Sequence, residues 1–335
     1  MLWIHIGMPK AGSSSLQAYL NANGDLLSRH NIMYMKTGRH EEEERKVPLV
    51  SHNTLAKQMR ENWKNVEENL FNRYLNEYNE NRSKECIISA EMFFGHRLAP
   101  LKEKLTDHID DPINIVIYLR RFSDFLESDY KQRAKKARQF TNAHRYAKNA
   151  LKFAKTDESY LNFSAMFEEI KSDIPNAVIH PRIFLKEDMT GGDIISDFLT
   201  NLEVPIDEIV LPESPINRSL SRVSSEALGL FAAKGSGINN RLHQRLDSAL
   251  QNAEDGKFFA KGDVLLPDEA NELNEVLEEK NKAVLQEYFP DRKRLFPSVE
   301  HNKGFPLRGD TTELDRLKET VREILKIQHR FRKGS

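Results

Sequence analysis

Several features that define other classes of protein are scarce in this chain of 335 residues. A single cysteine, Cys86, excludes an internal disulfide framework. No apolar run approaches the roughly 18 residues that a membrane span requires. The chain enters an apolar segment at Leu2 without a basic leader or cleavage site, so we expect a soluble, cytoplasmic protein. We find no internal repeat, and no His-x-x-x-His pair or carboxylate cluster that would indicate a metal.

The charges nearly cancel, with a formal net charge of −1, but they are unevenly distributed. Nine Lys or Arg residues and no Asp or Glu occur from Lys131 to Lys155, whereas acids cluster at Glu41–Glu44. A basic stretch of this kind either attracts an anionic ligand or forms a solvated helix face. The sequence leaves both interpretations open.

Short apolar runs alternate with segments of helical periodicity. Helices are expected from Ser13, over most of residues 54–80, after a capping Ser123, and over Gly192–Leu202. This order favours an α/β fold with a mostly parallel central sheet covered by helices on both faces. We expect residues 1–335 to form one domain with helical additions. Strands are predicted at Leu2–Ile6, Asn31–Met35, Glu85–Ala90, Ile113–Leu119 and Asn176–Pro181.

A final amphipathic helix is predicted over residues 311–333. We expect this helix to pack on its own chain. Packing on a second copy, which would make the protein a homo-oligomer, is the alternative. The apolar positions at helical spacing are Leu314, Leu317, Val321, Ile324 and Leu325.

The segment from Gly7 to Ser15 is expected to bind phosphate. It follows the first predicted strand and opens the first predicted helix, so its backbone N–H groups and the helix dipole favour an anion. Gly7 and Gly12 permit close backbone approach, and Lys10 supplies a mobile cation. Three consecutive serines add hydroxyl donors. The alternative is an ordinary strand–turn–helix with a surface lysine.

The order of residues in this segment differs from that of the nucleoside-triphosphate loop. Lys10 precedes the second glycine, and Ala11 stands where a magnesium-binding Ser or Thr would follow the lysine. The segment instead resembles the 5′-phosphosulfate loop of sulfotransferases that use 3′-phosphoadenylyl sulfate (PAPS), which follows the first strand of a P-loop-like parallel sheet. The resemblance implies that the 5′-phosphate is held by Lys10, Ala11, Gly12, Ser13, Ser14 and Ser15.

A second segment supports the same resemblance. Arg120 follows the strand Ile113–Leu119, at the sheet edge where open α/β proteins bind ligands. Ser128 lies eight residues later, in the next predicted helix. This spacing resembles the 3′-phosphate motif of sulfotransferases, in which an arginine after a strand and a serine eight positions later hold that phosphate. Phe122 stands where the family has proline, so Arg121 is an alternative to Arg120.

The wider resemblance is to bacterial sulfotransferases related to the heparan-type carbohydrate enzymes. It implies an enzyme that moves a sulfuryl group from PAPS to a hydroxyl of a small molecule or glycan, and that releases adenosine 3′,5′-bisphosphate (PAP). No metal and no nucleic-acid partner are expected. This looser resemblance runs from Tyr160 onward, through the segments His180–Arg182, Gly191–Leu199 and Asn217–Ser221.

Transfer to a hydroxyl requires in-line positioning, stabilisation of the leaving oxygen, and a base. We expect Lys10 to stabilise the leaving oxygen. Glu91 follows the strand Glu85–Ala90, and the resemblance implies that a glutamate at this strand end is the base. Partial burial would raise its pKa, and the nearby Lys10 would oppose that shift. His52, in a polar loop, is the competing base or a substrate contact.

Two other functions stay open on the sequence. A P-loop-type kinase acting on a small metabolite would need magnesium and a hydroxyl residue after the loop lysine, where Ala11 stands. A non-catalytic relative would bind the nucleotide or a carbohydrate without transferring a group. Tight binding of PAP without magnesium separates a sulfotransferase from a kinase, which would prefer ATP with magnesium.

Overall fold

The residue contacts of the computed structural model divide the chain into two compact units. The sheet unit comprises residues 1–120, 162–212 and 280–296, and the helical unit comprises residues 121–161, 213–279 and 297–335. The prediction of one domain over residues 1–335 stays a prediction. The structure describes residues 1–39, 50–60, 68–95, 98, 108–136, 142–157, 159–212, 219–232, 240–253, 256–299, 308 and 312–333.

The described strands form one parallel sheet in the order β2-β3-β1-β4-β5. Three of the predicted strands have the expected bounds, and β2 and β5 differ from the prediction by one or two residues at their ends. The predicted parallel sheet of an α/β fold is therefore confirmed. The strands are β1 (Leu2–Ile6), β2 (Ile32–Tyr34), β3 (Glu85–Ala90), β4 (Ile113–Leu119) and β5 (Ala177–Ile183).

Helices separate the strands and continue beyond the last one. They are α1 (Ser13–Ala22), α2 (Gly24–Arg29), α3 (Asn53–Arg60), α4 (Glu68–Glu80), α5 (Phe122–Lys135), α6 (Ala143–Ala154), α7 (Phe163–Asp173), α8 (Ile194–Thr200), α9 (Arg222–Ala232), α10 (Asn240–Gln251), α11 (Pro267–Lys280), α12 (Lys282–Tyr288) and α13 (Thr312–Lys333).

The central strands are the apolar core of the sheet unit. Every residue of β1 and β4 is buried, and β3 is buried except at its first residue. Such continuous burial occurs where helices flank a parallel sheet. In this unit α1 and α3 contact β3, α2 contacts β2, and α7 contacts β5.

The prediction that Ser123 caps the helix after β4 is wrong. Helix α5 begins at Phe122 with Arg121 as its N-cap residue, so Ser123 lies inside the first turn. Ser123 is buried, and its N–H donates to Oδ1 of Asn274 at 3.1 Å. Its hydroxyl oxygen accepts a hydrogen bond from Nδ2 of Asn274, also at 3.1 Å. The Ser123 hydroxyl therefore anchors α5 to a side chain distant in sequence instead of capping the helix.

Two other predicted helices differ in detail from the structure. Residues 54–80 contain α3 and α4, and the segment 61–67 between them lies outside the described residues. The helix predicted over Gly192–Leu202 is shorter, because Asp193 caps it. The Asp193 carboxylate accepts from the N–H groups of Ile195 and Ser196, at 2.8 and 3.0 Å.

The C-terminal helix α13 exists at nearly the predicted bounds and packs within the helical unit. Ile324 and Ile327 are buried in one apolar cluster with Leu228 and Leu246 of α9 and α10. Leu325, predicted on the apolar face, is instead 49% exposed. Assembly through this helix stays a prediction. None of the helices in the described part of the chain combines the length and the apolar character needed to cross a membrane.

Candidate functional site

Segments that leave neighbouring strands meet at the carboxyl edge of the sheet. Ile6 of β1 is aligned with Ala90 of β3, so Gly7 and Glu91 leave the sheet side by side, and Arg120 follows β4 at the same edge. Strands β2 and β3 lie on one side of β1 in the sheet, and strands β4 and β5 lie on the other side. The strand order thus reverses at β1, and open α/β sheets bind ligands at such a point.

The loop after β1 is held by its own backbone. The Gly7 N–H donates to the Ala90 carbonyl at 3.0 Å, and the Ala11 N–H donates to the Met8 carbonyl at 3.1 Å. Between these anchors, Lys10 adopts a left-handed conformation with φ of 68° and has an exposed side chain. This conformation is disfavoured for residues with a Cβ atom, so the surrounding contacts must maintain it.

Both glycines of the loop lie where a larger residue would collide. Gly12 precedes α1 with φ of 77°, and a Cβ there would lie 3.1 Å from Cγ2 of Ile194 and 3.2 Å from Cε2 of Phe184. A Cβ on Gly7 would lie 2.7 Å from Oγ of Ser13. The positive φ at Gly12 and the side chains that pack against both glycines explain why these positions lack a Cβ atom.

The start of α1 offers hydrogen-bond donors that no described residue fills. The N–H groups of Gly12, Ser13 and Ser14 make no hydrogen bond to the described part of the chain. The Ser13 side chain is only 2% exposed, yet its hydroxyl also has no partner there. These groups lie at the positive end of the helix dipole, and buried donors without partners are costly. The arrangement favours an anion.

Two predicted phosphate donors are already used within the protein. The Ala11 N–H closes the turn to Met8, and the Ser15 N–H donates to the Gly12 carbonyl at 3.0 Å. Ser15 retains an exposed side chain, whereas Ala11 is buried and has no other donor. The backbone part of the predicted cradle therefore narrows from Ala11–Ser15 to Gly12–Ser14.

Glu91 lies beside the loop, at the start of a 3₁₀ turn that ends β3. Its Cγ atom is 3.1 Å from the position that a Cβ on Gly7 would occupy. Burial raises the pKa of the Glu91 carboxyl, and the positive charge of Lys10 acts in the opposite direction. The sequence predicted both effects. A half-buried carboxylate thus lies next to the loop, where the positive charge of Lys10 acts on it.

Arg120 contacts the loop twice. Its backbone N–H donates to Sδ of Met8 at 3.3 Å, and its Nη1 donates to the carbonyl oxygen of Lys10 at 2.5 Å. Ser128, its predicted companion, lies half-buried on α5 in the helical unit. The shared role of Arg120 and Ser128 at a 3′-phosphate stays a prediction.

The geometry argues against His52 as the base. Nδ1 of His52 accepts from the Ser89 N–H at 3.1 Å, and Nε2 contacts the Met35 carbonyl at 3.0 Å. These partners fix the neutral tautomer with Nε2 protonated. The side chain is fully buried, and burial lowers its pKa to about 3. Both ring nitrogens of His52 are therefore occupied, and no part of its side chain is accessible to a substrate. Its hydrogen bonds join the segments around Met35 and His52 to β3.

A buried polar network that the sequence did not predict lies behind the loop. Nδ1 of His5 lies 2.7 Å from Oγ of Ser89, and Nε2 of Gln17 donates to the same oxygen at 3.0 Å. The Nε2 atom of His5 is buried and has no partner among the described residues. Burial lowers the pKa of His5 to about 3. The available signal was that His5 and Ser89 interrupt two apolar strands at one register position.

The segments that carry the looser resemblance include residues whose side chains already contact other parts of the protein, and residues that the structure does not describe. Arg182 forms an ion pair with the buried Asp197 at 2.5 Å, and His180 lies 2.8 Å from Oδ1 of Asn114. Asn217 and Arg218 lie outside the described residues.

Within the described ranges, no three His, Cys, Asp or Glu side chains are grouped as a metal site would require. Comparison of the chain with protein-family models, curated proteins and solved structures finds no match.

Proposed function

We propose that this chain transfers a sulfuryl group from PAPS to a hydroxyl acceptor, a carbohydrate above all. The observation that carries the proposal is the unfilled donor set formed by the N–H groups of Gly12, Ser13 and Ser14 and the Ser13 hydroxyl. A phosphate supplies several acceptor oxygens and negative charge, so it satisfies these donors together. A neutral ligand would not use the helix dipole in this way.

The neighbours of this donor set favour group transfer over simple binding. Lys10 is exposed next to the donors, and the Glu91 side chain lies against Gly7. A cation next to a bound phosphate stabilises charge on the oxygen that leaves, and a carboxylate accepts a proton. The loop thus combines an anion site, an electrophilic group and a base within one sheet edge.

The reaction that fits these groups is an in-line displacement. The acceptor oxygen forms a bond to sulfur while the bond between sulfur and the bridging phosphate oxygen breaks. The electron pair of that bond passes to the 5′-phosphate of PAP, where Lys10 and the α1 donors stabilise it. The proton of the acceptor hydroxyl passes to the Glu91 carboxylate. A raised pKa makes Glu91 a stronger base than an exposed glutamate, provided that it is ionised at the working pH.

Nucleotide binding provides the first test. We expect calorimetry in the presence of EDTA to detect PAP binding, and ATP with magnesium to bind more weakly. The kinase alternative predicts the reverse order, because a triphosphate needs a metal ligand next to the loop lysine. Ala11, at that position, has no hydroxyl and is buried. Stronger binding of ATP with magnesium would overturn the proposal.

Transfer to a panel of hydroxyl acceptors provides the second test. Sulfur-labelled PAPS is incubated with neutral, carboxylated and phenolic acceptors, and the products are separated by mass. We expect label on at least one carbohydrate, and none when Glu91 is replaced by Gln. PAP binding without transfer to any acceptor would identify the non-catalytic relative instead.

A further inference from the structure

Arg120 is hydrogen-bonded to the loop by contacts within the chain. The resemblance gives this arginine one role, contact with the 3′-phosphate. In the structure its Nη1 instead donates to the Lys10 carbonyl, and its backbone N–H contacts the buried sulfur of Met8. Both contacts join the end of β4 to the turn that precedes the donors of α1. These contacts need an explanation that does not involve the 3′-phosphate.

The contacts of Arg120 fix one peptide plane of the loop. The peptide between Lys10 and Ala11 is planar, so its C=O and N–H groups point in opposite directions. Arg120 binds the C=O group, and the Met8 carbonyl accepts the N–H group. With both ends bound, this plane cannot rotate without breaking a hydrogen bond. The next peptide along the chain carries the Gly12 N–H, the first of the three unfilled donors.

The same plane belongs to the strained residue of the loop. Lys10 has φ of 68°, a conformation that a residue with a Cβ atom leaves readily when nothing holds it. A charge-assisted hydrogen bond to its own carbonyl is the contact best placed to hold it. Loss of that bond would let Lys10 return to a common conformation and would turn the donors of Gly12–Ser14 away from one another.

We propose that Arg120 is a positioning residue for the phosphate loop. It maintains the left-handed conformation of Lys10 and thereby orients the Gly12–Ser14 amides before a ligand arrives. The identity of the ligand rests on the proposed function, whereas the effect on the loop does not. The inference therefore predicts an effect of Arg120 on the ligand-free protein and on the binding of a nucleotide that has only a 5′-phosphate.

The first experiment measures amide hydrogen exchange of Ala11 without ligand. Arg120→Met removes the donors and keeps an unbranched side chain of similar reach. We expect exchange at Ala11 to become roughly ten-fold faster, because the turn opens more often. Arg82→Ala is the matched control, since Arg82 pairs with Asp111 before β4, at the opposite end of that strand. Unchanged exchange at Ala11 in Arg120→Met would overturn the proposal.

The second experiment compares adenosine 5′-monophosphate, adenosine 3′-monophosphate and PAP by calorimetry. We expect Arg120→Met to weaken the 5′-monophosphate roughly ten-fold, with the loss persisting at high salt, where simple charge attraction is screened. Arg120→Lys, which keeps one donor, should recover part of the affinity. A loss confined to nucleotides with a 3′-phosphate would overturn the positioning role.

Two further outcomes are decisive in different ways. If the wild-type protein binds none of the three nucleotides, the proposed function fails, and Ala11 exchange alone decides the role of Arg120. If Arg120→Met does not fold, Arg120→Gln takes its place under the same criterion. In that variant, exchange at Ala11 as slow as in the wild type would overturn the proposal, whereas faster exchange together with weaker binding of the 5′-monophosphate would support it. Faster exchange with unchanged 5′-monophosphate affinity would contradict it.

Discussion

Two loops of this protein present clustered backbone N–H groups, and they differ in what fills them. In the helical unit, the Glu127 carboxylate accepts from the N–H groups of Gly262, Val264 and Leu265 at 2.7, 3.3 and 3.1 Å. In the sheet unit, the amides of Gly12–Ser14 have no acceptor among the described residues. Both loops contain a lysine and a glycine in close sequence, at Lys10–Gly12 and Lys261–Gly262.

The comparison shows what separates a structural loop from a candidate site. A cluster of donors that the chain satisfies with its own carboxylate stabilises the fold and has no capacity for a ligand. A cluster left without an acceptor is a cost to the folded protein that an anion can remove. Mutations that affect the loop satisfied by Glu127 (the filled loop, residues 261–265) should therefore change the free energy of unfolding. Mutations in the loop that ends at Gly12–Ser14 (the unfilled loop) should instead change ligand binding and activity.

The largest effect is expected from Lys10→Ala. Loss of the loop cation should lower kcat for sulfuryl transfer by roughly 10²–10³-fold, as for other groups that stabilise a leaving or developing oxyanion. The free energy of unfolding should change little, since Lys10 is exposed. Turnover rates with labelled PAPS measure the first quantity and urea denaturation the second. Undiminished turnover would remove Lys10 from the proposed chemistry.

Next in size is the effect of Glu127→Ala. Removal of the carboxylate leaves three amides without their acceptor, so the free energy of unfolding should fall by about 2–4 kcal/mol. Glu127→Gln keeps one acceptor oxygen and should lose less. Urea denaturation of both variants gives the comparison. Equal stability of Glu127→Ala and the wild type would mean that the filled loop is no more structural than the unfilled one.

Acid pH should lower the free energy of unfolding through two buried histidines, His5 and His52. His5 and His52 have pKa values lowered to about 3 in the folded protein, so between pH 3 and 6.5 the unfolded chain binds more protons. Stability is then lost as pH falls, by ~2 kcal/mol for each histidine between pH 6.5 and 5. Glu127 acts with the opposite sign, because burial raises its pKa.

Denaturation with urea at pH 7 and pH 5 measures this dependence. A protein equally stable at both pH values would show that the two buried histidines become protonated without cost.

The smallest effect, and the one with the sharpest contrast, is expected from Ser13→Ala. The buried Ser13 hydroxyl has no partner, so its removal should leave the free energy of unfolding unchanged or slightly higher. The affinity for PAP should fall about three- to ten-fold, because one donor to the phosphate is lost. Calorimetry and urea denaturation on the same preparation check both. A destabilised variant with full affinity would reverse the assignment of this loop.

The parts of the fold that could be predicted from the sequence depend on local patterns. The runs Leu2–Ile6, Glu85–Ala90 and Ile113–Leu119 are mostly apolar, and such runs between helical segments lead to a buried parallel sheet. The edge strands were less exact, because their ends depend on pairing with a single neighbour. The loop and the strand ends of the candidate site followed from the same patterns.

The remaining details depend on partners far away in the sequence. Ser123 is typical of a helix cap, but Asn274 engages it inside the helix. His52 is a polar loop residue by sequence, yet Met35 and Ser89 occupy both ring nitrogens. Whether an amide is free or filled is equally a question of distant partners. Local sequence therefore identifies where donors occur and leaves open which of them the chain uses for itself.

The central position of β1 has a consequence for synthesis of the protein. Its neighbours β3 and β4 end at Ala90 and Leu119, so the fully buried residues 2–6 cannot complete their pairing until more than a hundred residues have been translated. At ordinary elongation rates this delay is on the order of 10 s. During that interval an apolar segment stays exposed on the nascent chain, which makes β1 the expected binding site for a chaperone on the ribosome.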